Sequence, residues 1–417
     1  MHIDRRGCVG RLARGAALFL LAPTTPLQAL PAAGFPRLMA LDYRARETLR
    51  EPVREHLARF DAVVLSFWRG FGEARIRTVV QDLRRRNPRV LLGQYTVINE
   101  VPGKARPDEA HYDLVQQLDK QSWWLRNKGG ERVQWTQRYQ AYEADLGTDA
   151  SPDEDGLRWP QWKARRDVRE VFSKWPALDF VFLDNVFERP RVRAVWKRGG
   201  AEEDGRVSAV AAAQRQGYAD YVTELHRHLP GLPVIANTDG DLSQRELRGV
   251  FDGAFLEGLI GRSWSIETRA GWAAAMERYL AVSRHVKDRA SVVLQAAGGA
   301  DDFRQMRFGL TTCLMGDGYF AFGDAEGHGP PWFDEYEVKL GAPAGAAEPV
   351  AGGPAWWRRF SRGMAIVNPG PMPAVVEVPR GWARFRGHQQ PHINTGEPVR
   401  ELRLPPRDGV LLVRGGA

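Results

Sequence analysis

Two carboxylates close separate apolar runs in this sequence. Asp184 follows the run 180–183, and Glu257 follows the run 253–256. Both runs are short and almost continuously apolar, which is typical of parallel strands buried on both faces. Because the carboxyl ends of parallel strands meet at one rim of a barrel, we expect the two side chains to lie near each other. One protonated and one ionised carboxyl group are sufficient to cleave a glycosidic bond.

The segments around these two residues alternate between strand and helix patterns. Strands are predicted at 38–41, 62–66, 90–94, 180–183, 234–236, 253–256, 292–295 and 318–322. Helices are predicted at 47–60, 73–87, within 162–175, and at 208–229, 243–250, 268–287 and 301–315. Strands that alternate with helices of this length pair in parallel, and eight of them close a barrel. The pattern therefore predicts the α/β class and a (β/α)8 TIM barrel.

The predicted barrel occupies 34–341 of the 417 residues. A tryptophan-rich insertion at about 98–178 interrupts it, and this stretch is far longer than an ordinary strand-to-helix connection. Residues 342–355 are rich in Ala, Gly and Pro, which indicates a linker. Short strand patterns separated by Pro, Gly and Asn turns fill 356–417 and predict a small antiparallel β-sandwich.

Further polar and aromatic residues follow the predicted strands and are expected to face the same rim. The candidate substrate-binding residues are Asp42, Tyr43, Trp68, Tyr95, Asn99, Asn185, Asn237, Asp239, Gln295 and Asp324. Any one of them also fits an ordinary role as a turn, cap or packing residue. Tryptophans in the insertion, and Trp264 and Trp332 in loops, would offer flat faces for sugar rings, although core packing accounts equally well for each one alone.

Other classes of function find little support in the sequence. The net charge is +8, but the arginines are scattered, so no nucleic-acid partner is expected. His226 and His228 lie two apart in a predicted helix and therefore diverge, so no metal site is expected. Only Cys313 follows the first 33 residues, and neither a glycine-rich phosphate loop nor a Gly-x-Ser-x-Gly motif occurs. We therefore expect no cofactor and no serine or cysteine nucleophile.

The first 33 residues predict a signal peptide. Four arginines precede the apolar stretch 15–22, and small residues and prolines follow it. About eight apolar residues fall well short of the roughly 20 that span a bilayer, so no permanent membrane span is expected after cleavage. The sequence thus predicts export to the periplasm or the extracellular space.

Several of these motifs resemble a known family. Phe182-Leu183-Asp184-Asn185, Asn237-Thr238, Phe255-Leu256-Glu257 and the run 362–369 look like hypothetical glycosyl hydrolase family 15, and more loosely like the endo-polygalactosaminidase family. The resemblance covers about residue 35 to the C-terminus. It implies a barrel followed by a small β-domain. It also implies that the acidic residues of strands four and six, Asp184 and Glu257, are the catalytic pair.

The resulting hypothesis is an exported glycoside hydrolase with a carbohydrate substrate. Asp184 would act as nucleophile or base, and Glu257 would act as general acid. One alternative is a non-catalytic carbohydrate-binding or cell-envelope protein on the same scaffold. Another is a lyase or transglycosylase that uses the same carboxylates. The sequence leaves the sugar, the stereochemistry and the oligomeric state open.

Overall fold

The computed structural model describes residues 34–67, 72–127, 129–137, 140–174, 178–189, 202–323 and 329–415. The predicted signal peptide lies outside these residues. In chain order the strands are β1 Met39–Asp42, β2 Ala62–Leu65, β3 Leu91–Val97, β4 Glu100–Pro102, β5 Gln134–Thr136, β6 Ala141–Glu143, β7 Phe180–Val186, β8 Val234–Thr238, β9 Gly253–Ile260, β10 Val292–Ala297, β11 Tyr319–Gly323, β12 Glu348–Pro349, β13 Trp356–Arg359, β14 Gly363–Asn368, β15 Ala374–Glu377, β16 Trp382–Arg384, β17 Glu401–Leu404 and β18 Asp408–Arg414.

A parallel barrel organises the first part of the chain. Within the described residues, eight strands pair in the order β1-β2-β3-β7-β8-β9-β10-β11. A parallel bridge between Leu38 and Phe320 joins the first strand to the last. The predicted (β/α)8 barrel is therefore confirmed. Most of the strands continue beyond their predicted carboxyl ends, so Asp184 and Glu257 lie inside β7 and β9.

Helices connect the barrel strands. Their bounds are Ala45–Thr48, Glu51–Leu57, Glu73–Arg86, Tyr112–Lys120, Trp159–Asp167, Glu202–His228, Ile266–Ala270, Trp272–Val282 and Phe303–Cys313, with a π-helical turn at Val168–Phe172 and 3-10 turns at Arg289–Ser291 and Asp334–Glu337. The helix predicted at 243–250 is wrong. The Gln244 carbonyl accepts hydrogen bonds from the Leu247 and Arg248 N–H groups, but Gly249 has a φ of +69° and ends this single turn. No described helix combines the length and apolar character needed to cross a membrane.

The barrel encloses a small core that is separate from the core under the helices. Alternate residues of a strand point to opposite sides, so every second residue faces the barrel axis. The buried residues of this inner core are Met39, Ala62, Val64, Phe180, Phe182, Ile235, Phe255, Val293, Tyr319 and Ala321. Their immediate neighbours, such as Leu183 and Leu256, face outward against the helices. Side chains two positions after the last inner residue of each strand therefore lie at the carboxyl end of the barrel.

The insertion between β3 and β7 folds into its own layer. β4, β6 and β5 form a small antiparallel sheet, and the Tyr112–Lys120 and Trp159–Asp167 helices lie in the same stretch. Trp123, Trp124 and Trp159 are fully buried in the outer core. The indole N–H of Trp159 donates to the Ile98 carbonyl at 2.6 Å. These three tryptophans thus stabilise the insertion and offer no face to a sugar.

The C-terminal part is antiparallel, as predicted. One sheet has the order β12-β13-β14-β18-β16, a second pairs β15 with β17, and they share an apolar core. The stretch interpreted from sequence as a linker supplies β12, the edge strand of the larger sheet. Arg307 of the last barrel helix donates two hydrogen bonds of 2.9 Å to Asp408 of β18. This buried ion pair fixes the β-domain against the barrel.

Candidate active site

Three polar side chains continue the inward-facing rows of neighbouring strands. Asp184 lies two residues after Phe182, Asn237 two after Ile235, and Glu257 two after Phe255. The period-2 geometry of a strand therefore points all three into the mouth of the barrel. Asp184 and Asn237 are buried, whereas Glu257 is exposed in a strand whose other residues are all buried.

Both carboxylates lie where the strand register is irregular. Leu183 pairs with Ala236 and Val186 with Thr238, so β7 advances three residues where β8 advances two. β9 advances four residues, from Leu256 to Ile260, where β10 advances two. Bulges of this kind are common next to active sites. Each carboxylate directly follows the last regularly paired residue, Leu183 or Leu256, so the period of two holds up to it.

One amide joins the two carboxylates. The Nδ2 of Asn237 donates to Oδ1 of Asp184 at 2.7 Å and to Oε2 of Glu257 at 2.8 Å. The two oxygens that accept these hydrogen bonds are therefore at most about 5.5 Å apart, the sum of the two distances. The two predicted carboxylates thus lie in one cluster.

Tyr95 forms a hydrogen bond with the second carboxylate oxygen of Asp184. Its hydroxyl donates to Oδ2 of Asp184 at 2.5 Å. Burial, followed by the negative charge of Asp184, raises the pKa of Tyr95 well above its ordinary value. The phenol therefore stays protonated and remains a donor. With Asn237 on Oδ1, hydrogen bonds fix both oxygens of Asp184.

Tyr43 forms a wall of the same mouth. It continues the inner row of β1, two residues after Leu41, and its ring meets the Tyr95 ring edge-on at a centroid distance of 5.5 Å. Burial, then the charges of Asp184 and Glu257, raise the pKa of Tyr43. Nevertheless 48% of the residue is exposed. Tyr43 is therefore open to solvent while the negative charges of both carboxylates act on its hydroxyl.

Gln295 supports Glu257 through the backbone. The Oε1 of Gln295 accepts a hydrogen bond from the Gly258 N–H at 2.8 Å. Gly258 has a φ of +52°, a left-handed conformation that favours glycine. Gln295 thus holds the bulge on which Glu257 is mounted.

Asn185 follows Asp184 in β7 and connects this strand to two other parts of the chain. Its φ is +59°, its backbone carbonyl accepts a hydrogen bond from the Tyr218 hydroxyl at 2.7 Å, and its Nδ2 donates to Oε1 of Glu100 at 3.0 Å. Glu100, in β4, is a carboxylate that the sequence analysis did not select. Its charge also contributes to the raised pKa of Tyr95. Because Glu100 belongs to the insertion, no barrel periodicity pointed to it.

Asp42 is directed away from the mouth. It lies one position off the inner row defined by Leu41 and Tyr43, and its side chain is fully buried. Its Oδ1 accepts hydrogen bonds from the Arg44 N–H at 3.2 Å and from the Arg44 Nε at 3.0 Å, and its Oδ2 accepts one from the Thr48 hydroxyl. These contacts tie Asp42 to the first helix.

Of the four remaining candidates, the structure describes two. Asn99 is only 1% exposed, and Asp239 is exposed and accepts a hydrogen bond from the Glu188 N–H at 3.1 Å. Trp68 and Asp324 lie outside the described residues. Within the described part of the chain, no group of three or more His, Cys, Asp or Glu side chains is placed to hold a metal ion.

A cavity of about 750 Å³ lies between β3, the Glu73–Arg86 helix and the Trp159–Asp167 helix. Tyr95 and Glu100 line it, but Asp184 and Glu257 do not. Tyr95, which donates to Asp184, is therefore the link between this cavity and the carboxylate pair. The volume of the cavity is within the range of ordinary ligand pockets.

Solved structures share the overall fold. An α-amylase from Lactobacillus plantarum aligns over 90% of this chain and 98% of its own, with 10% identity and a TM-score of 0.51. The cyclic α-maltosyl-(1→6)-maltose hydrolase from Arthrobacter globiformis, in complex with cyclic α-maltosyl-(1→6)-maltose, aligns over 92% and 93%, with 10% identity and a TM-score of 0.50. At this identity the likeness concerns the fold alone.

Sequence comparison gives a more specific result. No curated protein sequence matches the chain. The looser resemblance to the endo-polygalactosaminidase family stays a prediction. A family model matches residues 94–364, well over half of the 417 residues, and the matched region contains Tyr95, Asp184, Asn237 and Glu257. The chain belongs to hypothetical glycosyl hydrolase family 15, a family of glycoside hydrolases.

Proposed function

We propose that this glycoside hydrolase is exported and cleaves O-glycosidic bonds in a polysaccharide or oligosaccharide with retention at the anomeric carbon. Asp184 is the nucleophile, and Glu257 is the general acid and base. The observation that carries this proposal is the Asn237 amide, whose nitrogen lies within hydrogen-bond distance of both carboxylates.

The spacing of the pair supports retention. Retaining enzymes hold their two carboxyl groups about 5–5.5 Å apart, whereas inverting enzymes need roughly 6.5–9.5 Å to admit a water molecule. The two oxygens of Asp184 and Glu257 that contact Asn237 are at most about 5.5 Å apart, the sum of the two hydrogen-bond lengths. This upper limit for the one oxygen pair lies below the separation that inverting enzymes need.

The surroundings of the two groups support the division of roles. Asp184 is buried and accepts hydrogen bonds from Tyr95 and Asn237, which favour its ionised form and fix its orientation. Glu257 is exposed and can exchange protons with solvent between the two steps. A fixed anion suits nucleophilic attack, and an accessible carboxyl suits acid and base catalysis.

The two steps follow from these roles. Glu257 gives its proton to the glycosidic oxygen, the bond from that oxygen to the anomeric carbon breaks, and Asp184 forms an ester with that carbon. The leaving sugar departs as an alcohol. Glu257, now ionised, takes a proton from water as the water oxygen attacks the anomeric carbon. The ester bond breaks, Asp184 is released as a carboxylate, and Glu257 is again protonated.

Release of reducing ends from a panel of bacterial and plant polysaccharides tests the reaction. The panel includes α-glucans, because the two solved structures compared above are named as an α-amylase and a maltosyl-maltose hydrolase. We expect activity in the protein without residues 1–33 and loss of activity in Asp184→Asn and Glu257→Gln. Binding without turnover across the panel would instead favour a non-catalytic carbohydrate-binding protein.

Product analysis tests the stereochemistry. Proton NMR of the first product is expected to show the anomer of the substrate before mutarotation, and the opposite anomer would overturn retention. An unsaturated sugar would indicate a lyase, and products longer than the substrate would indicate a transglycosylase.

The proposal of export rests on the sequence pattern of residues 1–33. Expression of the full chain followed by cell fractionation and N-terminal sequencing tests it. We expect a shortened protein outside the cytoplasm, and an intact N-terminus on a cytoplasmic protein would contradict export.

A further inference from the structure

We infer that Trp264 is an aromatic platform for the sugar on the leaving-group side of the cleaved bond. This inference rests on the proposed function, because it places a sugar next to the proposed general acid. It adds a second binding position to the site, on the side away from Asp184.

The first observation is the exposure of an aromatic ring at the mouth. Trp264 is 53% exposed. Its loop directly follows β9, the strand that carries Glu257. Single exposed apolar side chains are common on protein surfaces, so exposure alone assigns no role. The position of the ring relative to Glu257 is the more informative feature.

The second observation is the close approach of the indole to Gly258, the residue after Glu257. A Cβ atom on Gly258 would lie 2.6 Å from Cη2 and 3.1 Å from Cζ2 of Trp264. The six-membered edge of the indole therefore lies against the backbone that carries the general acid. Any side chain at position 258 would displace the ring. The contact with the indole and the φ of +52° therefore both favour glycine at this position.

The third observation is the anchoring of the loop that carries the ring. The buried Ser265 hydroxyl donates to the Gly258 carbonyl at 2.5 Å and accepts from the Arg262 N–H at 2.8 Å. The Gly258 N–H is held in turn by Gln295. Ser265, which follows Trp264, is thus hydrogen-bonded to Gly258, which follows Glu257. This bond fixes the position of the indole relative to the backbone of Glu257. A side chain that is already positioned loses little conformational entropy on binding.

The placement of Trp264 determines which sugar it contacts. Glu257 protonates the leaving oxygen, and the sugar that departs with this oxygen lies on the same side of the bond as the acid. In the proposed reaction the other sugar forms the intermediate on Asp184, which Tyr95 contacts. The second exposed ring, Tyr43, follows β1, and β10 and β11 separate that strand from β9 in the barrel.

The chemistry of the ligand follows from the ring. The C–H faces of a pyranose pack on the flat face of an indole, whereas the negative face of the ring disfavours an anionic group such as a carboxylate. We therefore expect a pyranose without a negative charge at this position. The proposed site takes at least two consecutive sugar units.

Binding is tested first, without reliance on turnover. Asp184→Asn protein is run in affinity electrophoresis through gels that contain soluble starch, xylan or barley β-glucan. Adding Trp264→Ala is expected to weaken retardation about tenfold in apparent affinity, a change of ordinary size for a lost aromatic contact. Adding Trp264→Phe is expected to retain most of it. Val375→Ser, which removes another exposed apolar side chain from the β-domain, serves as the control and should change nothing.

Turnover then tests the side of the bond. In the active protein, Trp264→Ala is expected to lower kcat/KM about tenfold for an oligosaccharide of the polysaccharide hydrolysed. It should leave kcat/KM unchanged for the glycosyl fluoride of the same sugar, because fluoride offers no ring to stack. Equal losses on both substrates would overturn the leaving-group assignment.

The outcomes separate this inference from the proposed function. Weaker retardation in Trp264→Ala, with no hydrolysis by the unmutated protein, would retain the platform and reject the hydrolase. Hydrolysis with unchanged retardation and kinetics in Trp264→Ala would reject the platform and retain the hydrolase. Gly258→Ala adds an independent check, since displacing the indole should reproduce the Trp264→Ala defect in binding.

Discussion

Two buried aspartates, Asp167 and Asp184, show how different partners suit a carboxylate to different tasks. Asp167 lies in the insertion, where Lys163 forms an ion pair with it and Arg166 donates to it at 3.3 Å. The Tyr221 hydroxyl donates to it as well, at 2.9 Å. Burial alone would raise the pKa of Asp167, but the charges of Lys163 and Arg166 hold it below its ordinary value. Its charge is thus neutralised within the protein.

Asp184 has a different kind of support. The phenol of Tyr95 and the amide of Asn237 donate to it, and neither group carries a charge. These two donors orient the carboxylate and add no positive charge to it. The comparison teaches that ion pairs with Lys163 and Arg166 suit Asp167 to a structural task, whereas hydrogen bonds from neutral groups orient Asp184 at the mouth of the barrel.

Replacement of Glu257 should give the largest effect. Glu257→Gln removes the proton donor, and general acid–base catalysis contributes roughly 10²- to 10⁴-fold. We expect kcat to fall by about that factor, while the free energy of unfolding changes little because the side chain is exposed. Initial-rate kinetics and urea denaturation of the same preparation measure both quantities. Severe destabilisation would place Glu257 among the structural carboxylates.

Replacement of Asp167 should give the opposite profile. Asp167→Asn leaves Lys163 buried without its anion, and breaking a buried pair in this way costs roughly 3–5 kcal/mol. The loss should appear in the free energy of unfolding, with turnover per folded molecule largely retained. Glu73→Gln, which breaks the exposed pair with Arg77, is the matched control and should cost only a few tenths of a kcal/mol. Equal costs in the two variants would remove the distinction.

Tyr95 tests the role of the neutral donors. Tyr95→Phe deletes the hydroxyl that contacts Asp184, and a hydrogen bond to a charged group contributes about 1.5–3 kcal/mol. We expect kcat to fall at least tenfold with a smaller change in KM, since the fixed carboxylate matters most in the transition state. Tyr142→Phe in the insertion is the control and should retain full activity. An unchanged kcat in Tyr95→Phe would mean that the Tyr95 hydroxyl is not needed to position Asp184.

The pH dependence of stability gives the smallest expected effect. A carboxyl group whose pKa is lowered by folding stabilises the protein above its unfolded pKa and loses that contribution as pH falls through the folded value. Asp167 has such a lowered pKa. The difference in unfolding free energy between the unmutated protein and Asp167→Asn should therefore be largest near neutral pH and shrink below about pH 4. A difference that grows with acidity would contradict the lowered pKa.

Sequence periodicity was sufficient to predict the barrel and much of its mouth. Counting by two from Phe182, Ile235 and Phe255 leads to Asp184, Asn237 and Glu257, because strand geometry is local. Counting by two from Leu41 also leads to Tyr43 and passes over Asp42. Asp42 therefore lies on the other face of the strand, where it accepts a hydrogen bond from Arg44. Asp42 was nevertheless among the predicted site residues, since proximity to a strand end alone does not distinguish the two faces.

The tryptophans were harder to interpret from sequence. The insertion is rich in tryptophan, yet Trp123, Trp124 and Trp159 are buried, whereas the isolated Trp264 is exposed and lies against Gly258, the residue after Glu257. Composition records how many rings a segment carries. Exposure depends on what packs over each ring, and those neighbours come from distant parts of the chain.

The sequence by itself determined the alternation of strands and helices, the antiparallel C-terminal part and the inward phase of the two carboxylates, because these follow from contacts between near neighbours in the chain. Only the tertiary structure decided that Asn237 joins Asp184 to Glu257, that Glu100 reaches Asn185 from the insertion, and that bulges follow both carboxylates. Strand register and loop packing set these distances. Both depend on residues far apart in sequence, which no local pattern encodes.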